Sequence, residues 1–249
     1  MNELQMFCHQ CQMSASGGCG AKGQKMGTCG KNSTLANLQD AMIFGLKGMS
    51  AYRHHAQELG ADTKEVDKII ADTLYFTLTN SNFNFDEHIE RLLKVGEGGV
   101  KVMKILSEAH TAVFGVPSPV KVTQNKASGK AILVSGHNLS ALKKLLEQTE
   151  NLGINIYTHS EMLPAHGYPK LRKFSHLKGN IGKAWFDQTK LFNDFGGAIL
   201  MTTNCIVPLK KSCTYKDRLF GYQIAGTDGI KRIENDDFSP LIQKALSLP

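Results

Sequence analysis

Ala131-Ile132-Leu133-Val134-Ser135-Gly136-His137-Asn138-Leu139 opens with a short, wholly apolar run and leads straight into a new hydrophobic period. A run of that length without polar alternation predicts a strand buried on both faces. From Leu139 to Leu152 the apolar residues recur at helical spacing, Ile154-Asn155-Ile156-Tyr157 predicts a second strand, and Ala198-Ile199-Leu200-Met201 a third. Strand and helix alternate, so the sheet is expected to be parallel and this part of the chain a Rossmann-like α/β domain. A last helical stretch, Pro240 to Leu246, closes the sequence.

Upstream the periodicity is different. Leu35, Leu38, Met42, Leu46, Met49 and Tyr52 mark a long amphipathic helix ending near Gly60, Val66 to Leu78 a second, and Ile89 to Leu106 a third, with turn-like residues from Asn80 to Asn84. Three such helices predict a small antiparallel bundle. Gly96, Gly98 and Gly99 fall inside the third, where each costs about 1 kcal/mol relative to alanine, so a kink or a close helix contact is expected there. Val116-Pro117-Ser118-Pro119 ends the helical pattern, because proline disfavours helix at its own position and at the residue before it. The expected division is therefore 1–116 and 117–249.

Ahead of the bundle, four of the six cysteines are set out as Cys8-x2-Cys11-x7-Cys19-x9-Cys29, with six glycines from Gly17 to Gly30. Four thiolates on a backbone free to fold tightly can complete a tetrahedral zinc site or an iron-sulfur cluster, 4Fe-4S or 2Fe-2S. A zinc ribbon would carry a second close Cys-x-x-Cys pair; the wider spacings here favour a cluster. Six cysteines in 249 residues, crowded at one end, suit metal binding in a reducing compartment better than a disulfide framework. The N-terminal residues show no basic n-region followed by an apolar h-region, and no apolar run reaches membrane-spanning length, so a soluble, cytoplasmic protein is expected, with no membrane partner.

The net charge of +7 raises the question of nucleic acid. A bound 4Fe-4S core with its four thiolates lowers the sum to roughly +5. The basic residues are also scattered: Lys170, Arg172, Lys173, Lys178 and Lys183 form the densest stretch, with Lys210 and Lys211 apart from it. That stretch reads as a solvated face or as a dock for an acidic electron donor rather than as a nucleic-acid surface.

Ligands of open α/β sheets collect beyond the carboxyl ends of the strands. The first strand here runs into Ser135-Gly136-His137, the second into Thr158-His159-Ser160-Glu161, and the third into Thr202-Thr203-Asn204-Cys205. His137, Glu161 and Cys205 offer nitrogen, oxygen and sulfur, a mixed set suited to iron or zinc. Taken singly, each also has a bland reading as a turn residue, a surface carboxylate and a small buried hydrophobe. His159 and His166 flank the glutamate as ligands, as hydrogen-bond donors to ligands, or as packing residues. Cys213 after two lysines reads as incidental, and His54 and His55 beside Arg53 as the polar face of a helix.

Together, MFCHQCQ (6–12), CGK (29–31), NLQDAMIFGLKGMSAY (37–52), LVSGHNLSALKKLLEQTE (133–150), NIYTHSEMLPAHGYPKLRKF (155–174), GNIG (179–182), MTTNCIVPLKK (201–211) and YKDRLF (215–220) resemble the hybrid-cluster proteins, also called prismane proteins or hydroxylamine reductases. The resemblance runs over nearly the whole chain. It implies an N-terminal helical domain carrying an iron-sulfur cluster on Cys8, Cys11, Cys19 and Cys29, followed by Rossmann-like domains around a hybrid iron-sulfur-oxygen cluster. His137, Glu161 and Cys205 would be ligands of that hybrid cluster. It also implies reduction of hydroxylamine to ammonia and water, or of nitric oxide or a peroxide, with electrons from a redox donor entering at the first cluster. The single three-helix bundle matches a shorter class of the family, and the Cys19-x9-Cys29 gap is longer than is usual in it. The family's remaining hybrid-cluster ligands, three cysteines and a second glutamate, fall in a C-terminal domain beyond Pro249, so the resemblance implies a partial form or a second chain that supplies them. Rival readings are an electron carrier or redox sensor holding only the first cluster, and a structural zinc protein that binds nucleic acid.

Overall fold

The computed structural model describes residues 5–78 and 82–249. The Asn80–Ser81 part of the expected turn lies outside the described residues. The chain divides into two compact units, Met1–His110 and Thr111–Pro249.

The first unit holds the cysteine segment and three helices, α1 (Ser33–Glu58), α2 (Lys64–Leu78) and α3 (Phe85–Phe114), the last turn of which belongs to the second unit. Asn32 starts α1 by accepting the Leu35 N–H with its side chain at 2.9 Å, satisfying one of the amide groups a helix start leaves without a partner. Met42, Leu46 and Met49 of α1, Val66 of α2, and Val95 and Val102 of α3 form one core. α3 runs unbroken through its three glycines. At Gly98 the reason is packing: a Cβ there would lie 2.6 Å from the Met49 methyl and 3.2 Å from Ile69, so the missing side chain lets α3 approach α1 and α2.

In the second unit, β1 (Lys130–Ser135), β2 (Ile154–Thr158), β3 (Leu177–Asn180), β4 (Ala198–Met201), β5 (Leu219–Tyr222) and β6 (Lys231–Ile233) form a six-stranded sheet in the order 3-2-1-4-5-6. Every pairing is parallel. The helices α4 (Leu139–Thr149), α5 (Pro169–Arg172), α6 (Gln188–Asp194) and α7 (Ser239–Ser247) complete the unit. Leu133, Tyr157, Ile199 and Met201 of the central strands pack with Phe192, Phe195 and Tyr215. Three strands escape a reading by apolar runs: LKGN and LFGY each carry a glycine, and KRI is too short to show a period. The division between the units falls within α3 rather than at the prolines, because Phe114 packs edge-on to Tyr168 at 5.9 Å and Gly115 against Pro169.

Candidate metal centre

The strand order reverses between β1 and β4, and a crevice opens at such a switch point beyond the carboxyl ends of the strands. His137 follows β1, Cys205 follows β4, and Glu161 follows β2 in a 3₁₀ segment, Ser160–Gly167. One ligand atom from each lies within 4.8 Å of the others, and among the described residues this is the group of three or more such side chains brought that close. His137 Nε2 is 2.7 Å from Glu161 Oε2, and Nδ1 is 3.4 Å from the Cys205 sulfur. Both His137 and Glu161 are close to half exposed, so the trio faces open space.

Threonines hold the trio in place. Thr202 Oγ1 donates to the Ser135 carbonyl at 2.9 Å and accepts the Asn138 N–H at 3.3 Å, stitching the end of β1 to the end of β4. Asn138 in turn caps α4 by accepting the Ala141 N–H. Gly136 between them has φ +106°, and a Cβ there would come within 2.5 Å of Thr202 Oγ1 and 2.7 Å of Thr203 Oγ1. Thr203 Oγ1 donates to the Cys205 sulfur at 3.4 Å and lies 3.2 Å from His137 Nδ1. Buried Gln188 clamps the Cys205 loop from the other side: its amide nitrogen donates to the Cys205 carbonyl, and its oxygen accepts the Val207 N–H at 3.1 Å. The threonines stand beside Cys205 in the sequence, where their place after a strand is a usable signal; Gln188 is far upstream and gives none.

The charges of the trio support one another. The hydrogen bond from His137, reinforced by that from Thr203, holds the Cys205 thiol below its ordinary value against the opposing effect of burial. The hydrogen bond to Cys205, with help from the charges of Cys205 and Glu161, raises His137. A thiolate, an imidazole and a carboxylate at one point are a donor set for a borderline or soft transition metal, which would displace protons on binding. The neighbouring histidines have other work. His159 is fully buried, bonded to Ser135 Oγ at 2.9 Å and packed on Phe192, and burial pushes it down to about 4. His166 is bonded to Thr158 Oγ1 at 2.8 Å. Cys213 is half-buried and bonds the Tyr215 hydroxyl. In the first unit His54 is exposed, but His55 is largely covered and lies 3.6 Å from Glu58, so only His54 sits on an open polar face.

The four N-terminal cysteines share the wall of one cavity, though their ligand atoms are not gathered as closely as those of the trio. Cys8 and Cys19 are bridged as antiparallel neighbours, with N–H···O distances of 3.1 and 3.0 Å in the two directions. Cys8, Cys11, Cys19 and Cys29 all line one small enclosed cavity, with Met6, Met13 and Lys31 in its wall. Cys8 and Cys19 are buried, whereas Cys11 and Cys29 are exposed. The backbone and hydroxyl of Thr28, and then the Lys31 charge, hold the Cys19 thiol below its ordinary value. Four thiols around one space fit a tetrahedral ion or a cluster.

Fold and sites together define a helical bundle with a four-cysteine segment, joined to a parallel α/β unit with a mixed-donor cradle at its switch point. The chain belongs to the Prismane/CO dehydrogenase family, whose model matches residues 6–93 and 87–249. It is 52% identical over 98% of its length to a hydroxylamine reductase of Moorella thermoacetica. Identity is 48% over 99% of the chain with that of Thermotoga maritima, and 47% over 98% with that of Methanothermobacter thermautotrophicus. In each case 56% of the relative is covered, so the chain spans about half the length of the curated relatives it matches. Its fold is similar to that of a carbon monoxide dehydrogenase from Thermococcus sp. AM4, with TM-score 0.70 and 15% identity over 97% of this chain and 53% of that one. Among the described residues no helix is long and apolar enough to cross a membrane.

Proposed function

We propose that this chain forms part of a cytoplasmic iron-sulfur oxidoreductase that reduces hydroxylamine to ammonia and water, as its relatives' names suggest. The observation that carries the reading is the meeting of His137, Glu161 and Cys205 at the switch point of a chain that also gathers four cysteines around one cavity. Cys8, Cys11, Cys19 and Cys29 would hold a 4Fe-4S cluster that receives electrons from a redox donor. His137, Glu161 and Cys205 would hold one side of a hybrid iron-sulfur-oxygen cluster, which supplies a redox-active iron when bound. A polynuclear centre needs more than three ligands; a further segment or a second chain would supply the rest. His137, paired with Glu161 at 2.7 Å, orients its ring by that bond, and the Thr202 stitch fixes the distance between the ends of β1 and β4.

Anaerobic purification with iron and sulfide analysis, electron paramagnetic spectra and a hydroxylamine assay test the reading. Iron and sulfide above the content of one cubane, with a second signal that disappears in Cys205→Ala, would support it. Zinc without sulfide would overturn it. A cubane signal alone, with no iron lost in Cys205→Ala, would favour the single-cluster electron carrier, a reading supported by the N-terminal cavity being lined by four thiols.

A further inference from the structure

Lys31 is buried, only 4% exposed, in the wall of the cavity that the four cysteines line. Its ammonium donates to Gln39 Oε1 at 2.6 Å and to Gln10 Oε1 at 3.2 Å, both neutral amides. No carboxylate among the described residues lies within salt-bridge distance of it. The acid closest in the network, Asp40, is bonded through Gln10, whose amide nitrogen donates to Asp40 Oδ1 at 2.7 Å. An ammonium that is buried and meets only neutral amides among the described residues is stabilised by an anionic neighbour in the same cavity. Four thiolates around a divalent ion or an oxidised cubane supply one.

The ammonium is also held firmly. His88 is fully buried; its Nδ1 lies 2.7 Å from the Asn84 carbonyl, which can only accept, so Nδ1 carries a proton. Nε2 then accepts from Gln39 Nε2 at 3.1 Å, and this fixes the Gln39 oxygen toward Lys31. The polarity of the chain Asn84–His88–Gln39–Lys31 is therefore set from the start of α3 and delivers a cation to the cavity.

We propose that Lys31, positioned by Gln39 and His88, is the fixed counter-charge of the N-terminal centre and raises its reduction potential. The inference rests on that centre being an iron-sulfur cluster. One-electron reduction adds one negative charge to the cluster and its thiolates, with no bond made or broken. A cation in the low-dielectric wall stabilises the reduced state more than the oxidised one. Lys31 forms no bond in this step and acts as a tuning residue through its charge.

The test is a dithionite titration with redox mediators, followed by electron paramagnetic resonance, on the full chain loaded anaerobically with iron and sulfide. Lys31→Gln keeps a donor for Gln39 and removes the charge. It should load the same iron and become harder to reduce, with at least about a tenfold lower reduced-to-oxidised ratio at a fixed potential, which is 59 mV for a one-electron couple. Lys31→Arg should restore most of the wild-type potential. Equal iron with an unchanged potential in Lys31→Gln would overturn the inference while leaving the cluster reading intact. Absence of iron and sulfide from the wild-type chain would overturn the cluster reading itself. Should Lys31→Gln fail to fold, Gln39→Leu removes the anchor without touching a residue of the cavity wall. Its potential should also fall, and a wild-type value there would count against the inference.

Discussion

Gly136→Ala tests whether the end of β1 and the end of β4 are held together as the structure has them. An alanine at φ +106° takes on backbone strain of roughly 1–3 kcal/mol. Its methyl would also lie 2.5 Å from Thr202 Oγ1, so the threonine must move. Two hydrogen bonds, to the Ser135 carbonyl and from the Asn138 N–H, then weaken at about 1 kcal/mol each. The total expected loss is about 3–5 kcal/mol. Gly153→Ala is the control, because Gly153 has φ +69° but nothing within 4 Å of a Cβ, so only strain of about 1 kcal/mol is expected. Urea unfolding of wild type and both variants, followed by far-ultraviolet circular dichroism, gives the two differences. Equal losses in Gly136→Ala and Gly153→Ala would refute the role assigned to Thr202. The same preparations report on the site: iron bound at His137, Glu161 and Cys205 should fall in Gly136→Ala and stay unchanged in Gly153→Ala.

Other expectations concern the metal sites and the bundle. Cys8→Ser and Cys19→Ser, at the two buried cysteines, should each abolish the N-terminal cluster signal and lower stability, read by iron analysis and thermal unfolding of the anaerobic protein. Gln188→Ala, which frees the Cys205 carbonyl and the Val207 N–H, should cost about 2 kcal/mol of stability and weaken iron binding at the switch point without changing iron at the N-terminal cavity. Burial, assisted by the His55 charge, pushes His110 down to about 4 from an ordinary 6.5. The unfolded chain therefore takes up the proton first. The stability contributed is fully present above about pH 6.5 and is lost as pH falls toward 4. His110→Leu should flatten that part of the stability profile, and an unchanged acid slope would contradict it.

The apolar runs Ala131–Val134, Ile154–Tyr157 and Ala198–Met201 identified the three strands whose ends carry the trio, because strands buried on both faces must be apolar throughout. The outer strands stayed hidden. β3 and β5 carry glycines and β6 is short, and their strand character comes from neighbours that pair with them rather than from their own residues. Helical spacing likewise located all three bundle helices, and of the two readings the glycines of α3 allowed, a kink or a close helix contact, the structure has the close contact. Only the packed bundle shows that Gly98 makes room for Met49 and Ile69.

The residue types capable of the chemistry were legible in the sequence: four clustered cysteines, and a histidine, a glutamate and a cysteine each just past a predicted strand. Ligand chemistry belongs to single side chains, and strand ends follow from local pattern. Which of these groups meet is a property of strand order. Because β1 lies between β2 and β4, His137 stands between Glu161 and Cys205, and no local signal contains that order. The supports were equally out of reach. Gln188 bonds a carbonyl 17 positions away, and His88 orders Gln39 across 49 positions, so both depend on the chain having folded. Lys31 in the sequence is one basic residue among many; only the folded chain buries it in the wall of the cysteine cavity, where its partners among the described residues are two neutral amides.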